Sequence, residues 1–169
     1  MQPPRAHPPH GHPQQDYPPP GYPQQFGAPV RLRANVVGSV LAGLLALLAA
    51  GLLVWFAVAD MLANSTPEPW PDVVRMNVIG GFTAAGLLVI AAVFTFARMV
   101  AGAWTLGVAS LFFVIMNIIA PLLRGESVSA HLSFLFGFHK TTGVAIGLAT
   151  IVCALTAIVA AVAAVAKQP

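Results

Sequence analysis

Four stretches of this chain, residues 34–59, 77–97, 101–123 and 142–166, contain no Asp, Glu, Lys or Arg. A helix needs roughly 20 residues to cross about 30 Å of hydrocarbon, and each stretch is long enough. A helix inside a soluble core is rarely so long and apolar on every side, and a chain with four of them has too little charge for a water-facing surface. The composition agrees, with 57% hydrophobic and 8% charged residues in 169, against about 25% charged in an ordinary soluble domain. The sequence therefore predicts an all-α membrane protein, an antiparallel bundle of four transmembrane helices within residues 34–166. A soluble enzyme core is excluded.

The remainder is of another kind. Residues 1–30 hold ten of the fifteen prolines, with Gln, His and Gly and no apolar run. Proline fixes φ and lacks a backbone donor, so residues 1–33 are expected to form a disordered tail of polyproline-II character. The stretch has no apolar core or small-residue cleavage site and is not read as a signal peptide. Residues 167–169 form a short end after the last span.

Charge sets the expected topology. Arg5, Arg31, Arg33, Arg98 and Lys167 fall on one side of the bundle, with Asp16 the one acid there. The other side carries Arg75, Arg124 and Lys140, and four acids, Asp60, Glu68, Asp72 and Glu126. Five bases against three place both termini in the cytoplasm by the positive-inside rule. Trp55 and Trp104, near opposite ends of their spans, suit interfacial anchoring.

In lipid the hydrophobic effect does not draw helices together, so small residues and a few polar contacts must do so. Each span has a stripe of such residues at alternating spacings of four and three. The last span reads Gly143, Gly147, Thr150, Ala154, Ala157 and on to Ala164; the third reads Ala103, Gly107, Ser110, Val114, Asn117 and Pro121. The first two spans carry stripes through Ser39 and Ala46 and through Gly81 and Ala91. Gly143, Gly147, Ala154 and Asn117 are the expected helix-packing residues. Asn117 is read as an interhelical hydrogen-bonding group, and Gly80 with Ala84 leaves a spare small face suited to self-association into a homo-oligomer.

Candidates for chemistry are few. The spans hold no ionisable Asp, Glu, Lys or Arg, the usual mark of a proton relay or ion path. His7, His10 and His12 belong to a Pro/Gln/His-biased tail, and His131 and His139 flank a loop segment without a zinc-site spacing. Cys153, the single cysteine, lies mid-span among apolar neighbours and reads as an unreactive thiol. No catalytic constellation, metal site or cofactor-binding glycine loop is present in the sequence pattern. The bases are scattered, which gives no reason to expect a nucleic-acid partner.

Recognition chemistry is concentrated in the tail. Pro18-Pro19-Pro20-Gly21-Tyr22 contains a PPxY string, and Pro-Gln-Gln occurs at 13–15 and again at 23–25. Pro19, Pro20, Tyr22 and Tyr17 are the candidate partner-binding residues, because preformed polyproline II docks in aromatic grooves at low entropic cost. Between the third and fourth spans, residues 132–138 read LSFLFGF, too short to cross the bilayer and too apolar for water. This segment is expected to seat in the membrane interface, with folding over the bundle mouth and docking on a partner as the other options.

A Pro/Gln/Tyr-rich tail followed by Ala/Val/Gly/Leu-rich spans resembles the small four-helix membrane proteins of high-GC actinobacteria. The resemblance covers the whole chain, rests on layout and composition, and carries over no functional residue. It implies a bacterial plasma membrane. The functional expectation is a non-enzymatic protein acting through protein–protein interaction, the bundle anchoring and the tail recruiting a cytoplasmic partner. The alternative is a subunit or accessory of a channel or transporter for an uncharged solute.

Overall fold

The structure is a computed structural model that describes residues 33–65, 69–123, 125, 127–137 and 140–166. Tyr17, Pro19, Pro20 and Tyr22, and with them the expected tail disorder, lie outside the described residues, as do residues 167–169. Among the described residues five helices follow in order: α1 (Val36–Ala63), α2 (Asp72–Phe96), α3 (Val100–Leu123), α4 (Val128–Phe136) and α5 (Thr141–Val165). Four of them, all but α4, are long and apolar enough to cross a membrane. The protein is an all-α, multi-pass membrane protein with four antiparallel spans.

Helix α1 packs along α2 on one side and α5 on the other, and α3 packs along α5 and, less extensively, α2. On the diagonals, α1 touches α3 while α2 and α5 are out of contact. Two ends are distinguished below: the proximal end, where α1 begins, and the distal end, where it finishes.

The small-residue stripes face inward. Ser39, Ala42, Ala46 and Ala49 of α1, Gly81, Leu88, Ala91 and Thr95 of α2, and Ala103, Gly107, Ser110 and Pro121 of α3 are all buried. Leu44, Ile90, Val108 and Ile158 are exposed on the surface that lipid would cover. In α5 the stripe divides. Gly143, Gly147 and Thr150 are buried, while Ala154, Ala157 and Ala161 are only half-buried. A second row, Ala149, Cys153, Thr156, Ala160 and Ala163, is buried as completely as the first. Two neighbours flank α5, and a single stripe at heptad spacing serves only one of them.

Four threonine hydroxyls within the spans bond to their own helix. Thr95, Thr105, Thr150 and Thr156 donate to the carbonyl four residues earlier, which leaves little unmet polarity to hydrocarbon. The buried Ser39 and Ser110 hydroxyls have no partner among the described residues.

The proximal end is tied by the backbone. Helix α2 ends in a Schellman turn: Met99 N–H donates to Phe94 O (3.2 Å) and Arg98 N–H to Thr95 O (2.9 Å). Arg98 takes the left-handed position of that turn at φ 59°, where glycine is usual because an L side chain costs roughly 1–2 kcal/mol. The compensation is local. Ala34 N–H donates to Arg98 O (3.1 Å), Arg98 Nε–H donates to Ala34 O (3.4 Å), and Asn35 N–H donates to Ala163 O (3.1 Å). Asn35 Oδ1 also caps α1 by accepting from Gly38 N–H (3.0 Å). The chain entering α1 is thereby fastened to the α2–α3 link and to the last turns of α5.

At the distal end the helices outrun the apolar stretches that define them in the sequence. Helix α1 continues past Ala59 through Asp60 to Ala63, and α2 begins at Asp72, five residues before the predicted start. A charged residue does not end a helix, and these ends carry their own support. Asn64 Nδ2 donates to Asp60 O (2.7 Å), Ser65 Oγ donates to Met61 O (3.0 Å), and Asp72 sits in the first turn of α2, where the helix dipole favours an acid. The segment expected in the membrane interface begins within α4, capped by Ser127 Oγ, which accepts from Ala130 N–H (3.3 Å). It packs on α5 and α3.

Candidate functional site

A cavity of about 810 Å³ lies in the distal half, with residues of all five helices in its wall. Its origin is the uneven pairing of α2 with α3. At the proximal end the pair is held close by the turn at Arg98 and by Gly102, whose missing side chain lets α3 lie against the Phe94 backbone. Toward the distal end the two helices line opposite sides of the opening, with Gly80, Ala84 and Leu88 on α2 facing Ala109, Phe113 and Asn117 on α3. Leu53 and Phe56 of α1, Ile146 of α5, and Phe134 and Leu135 of α4 complete the apolar wall.

Three polar fixtures stand in this wall. Asn77 Nδ2 of α2 donates to Asp60 Oδ2 of α1 at 3.1 Å. Asn117 Nδ2 of α3 donates to Thr150 Oγ1 of α5 at 2.6 Å, and the Thr150 hydroxyl in turn donates to Ile146 O at 2.8 Å. The third follows from Pro121, which lies inside α3 and has no N–H for the carbonyl four residues back. That carbonyl belongs to Asn117, and His131 Nε2 of α4 lies 3.0 Å from it. A carbonyl only accepts, so Nε2 carries the proton. The His131 ring also sits beside Phe134, centroids 6.5 Å apart.

Asn117 thus joins three helices, bonding α5 through its side chain and α4 through its backbone. Replacing it by leucine removes the first link and spares the second. Asn117→Leu is expected to leave the bundle assembled and to lower its unfolding free energy by roughly 0.6–2 kcal/mol, read from denaturation in detergent. A loss of the folded state altogether would contradict this division of labour.

Of the other expected packing residues, Gly143 marks a close helix approach. A Cβ there would meet Phe134 O at 2.7 Å, so glycine is what allows α4 to lie on α5. Gly147 is buried and Ala154 half-buried. Gly80 and Ala84, expected as a face for self-association, line the cavity, and nothing lies within 4 Å of a Cβ built on Gly80. Asp60, Asn77 and His131 were not singled out by the sequence as a set. Only one of the three links has a local signal, since a proline four residues after a polar residue in an apolar helix frees a carbonyl that some other segment must satisfy.

No protein-family model matches this chain, and neither do any curated protein or solved structure.

Proposed function

We propose that this is a non-enzymatic plasma-membrane protein that acts through protein–protein interaction. In this reading the bundle is an anchor, both termini are cytoplasmic, and residues 1–33 recruit a partner through Pro19, Pro20, Tyr22 and Tyr17. The observation that supports it is the root of the tail. Ala34 is fully buried, and it and Asn35 are fastened by the hydrogen bonds to Arg98 and Ala163. An anchor that presents a recruiting segment needs such a fixed point of departure, since the effective concentration of a tethered motif depends on where its tether starts.

The test is crosslinking in intact membranes followed by affinity capture and mass spectrometry. Full-length protein is compared with a form lacking residues 1–30 and with the full-length Tyr17→Ala/Tyr22→Ala variant. Specific cytoplasmic partners should be recovered with the full chain and lost with either change. Recovery of the same partners in all three would overturn the reading.

The distal cavity favours a second reading, an accessory or subunit for passage of an uncharged solute. Its polar contact at depth is Asn117. Uptake of such a solute into liposomes that is present in the native protein and absent in Asn117→Leu would move the function from the tail to the bundle.

A further inference from the structure

The cavity has a chemical polarity beyond its size. Its deep wall is apolar, formed by Leu53, Leu88 and Ala84. Asp60 is the one Asp, Glu, Lys or Arg among the described residues that line it. One carboxylate oxygen of Asp60 accepts from Asn77, and the other has no hydrogen-bond partner among the described residues. The nearby cation in sequence, Arg75, is paired instead with Asp72 on the exposed face of α2.

The cavity is also open sideways. Leu87 of α2 and Phe112 and Met116 of α3 line it while remaining 57%, 62% and 40% exposed. That exposure lies on the surface of membrane-spanning helices, so an apolar molecule can reach the cavity from the bilayer without crossing water. A volume of about 810 Å³ falls within the range of pockets that hold small organic ligands.

We propose that this cavity binds a single-chain amphiphile with a cationic nitrogen head, the head at Asp60 and Asn77 and the chain along the cleft between α2 and α3. An ammonium group can donate a charge-assisted hydrogen bond to the second Asp60 oxygen. A fatty carboxylate would set like charge against Asp60. A two-chain phospholipid would bring a phosphate to a wall with no described Lys or Arg. This proposal goes beyond partner recruitment and stands or falls independently of the tail.

The test uses full-length protein in phosphatidylcholine nanodiscs, with empty nanodiscs subtracting bulk partitioning. Three probes of equal chain length are titrated by calorimetry: dodecylamine, dodecanol and dodecanoate. The amine should bind saturably, and at least about tenfold more tightly than the other two. Asp60→Asn keeps the shape and a partner for Asn77, and should lower amine affinity to that of the alcohol. Gly80→Phe places a ring where no neighbour stands within 4 Å of the added Cβ, and should abolish binding of both. A photoreactive alkylamine should label residues of the α2–α3 cleft, Thr83, Leu87, Phe112 or Met116. Equal binding of the three probes, an unchanged amine affinity in Asp60→Asn with the native melting temperature retained, or labelling confined to other surfaces would overturn the proposal.

Discussion

Gly102→Ala is expected to destabilise the bundle by about 1–3 kcal/mol, although alanine is intrinsically the better helix former. The added Cβ would stand 2.6 Å from Phe94 C and 2.8 Å from Phe94 O. Those are backbone atoms of the residue whose carbonyl accepts Met99 N–H to close the turn between α2 and α3. A side chain in the way can rotate, but a backbone carbonyl at a hydrogen-bonded turn cannot move without breaking that bond. The strain would also reach the start of the chain, because Arg98 in the same turn holds Ala34. Gly86→Ala is the control. Nothing lies within 4 Å of its Cβ, so that change should be neutral or gain up to about 1 kcal/mol from helix propensity. Unfolding both variants in detergent separates the two effects, and equal shifts for the pair would remove the close-approach argument.

That contrast also marks what the sequence can disclose. Long apolar runs without charge required four spans, because hydrocarbon admits little else that satisfies the backbone. The stripes through Ser39, Gly81 and Gly107 were legible because small residues recur at the helical spacing on a buried side of each of those helices. In α5 the stripe through Gly143 and Ala154 captured one of two buried rows, the other running through Ala149, Cys153 and Ala160. Composition does not distinguish Gly102 from Gly86. Both sit in apolar helices, and only the three-dimensional neighbour, present in one case and absent in the other, separates them.

The distal site was less legible for a related reason. Spans were bounded where charge begins, which placed Asp60 outside the first helix and Asn77 at the very start of the second. Helical hydrogen bonding extends past the apolar boundary, and that extension brings the two side chains together. His131 flanks a segment whose apolar residues point to interface seating. The frozen partner it needed, the carbonyl of Asn117, was visible only as the consequence of Pro121. A sequence reading that asks which carbonyl each intrahelical proline leaves vacant would find such a link.

Leu135→Ala is expected to release α4 from the bundle while leaving the four spans folded. Leu135 is the one buried residue of α4, 1% exposed and part of the central apolar cluster. Truncating a buried leucine costs about 2–5 kcal/mol. What would remain to hold α4 is the His131–Asn117 bond, worth roughly 1 kcal/mol net, and the contact of Phe134 with α5 at Gly143. Those contacts alone would then oppose the conformational entropy gained when the nine residues are freed. A nine-residue helix is also shorter than the roughly 12–15 residues an isolated helix needs, so α4 should unfold as it leaves. Hydrogen–deuterium exchange reads this directly: amides of 128–136 should lose protection in Leu135→Ala by tenfold or more, about 1.4 kcal/mol, while α1, α2, α3 and α5 keep theirs. His131→Ala should cause a smaller loss in the same amides, since it removes a hydrogen bond and no core contact. Unchanged exchange in α4 would mean that Leu135 does not hold the segment, and exchange spreading through the spans would mean that α4 is part of the core rather than docked upon it. Because Phe134 and His131 line the cavity, release of α4 also opens its wall, and the retention time of any molecule bound there should shorten in the same variant.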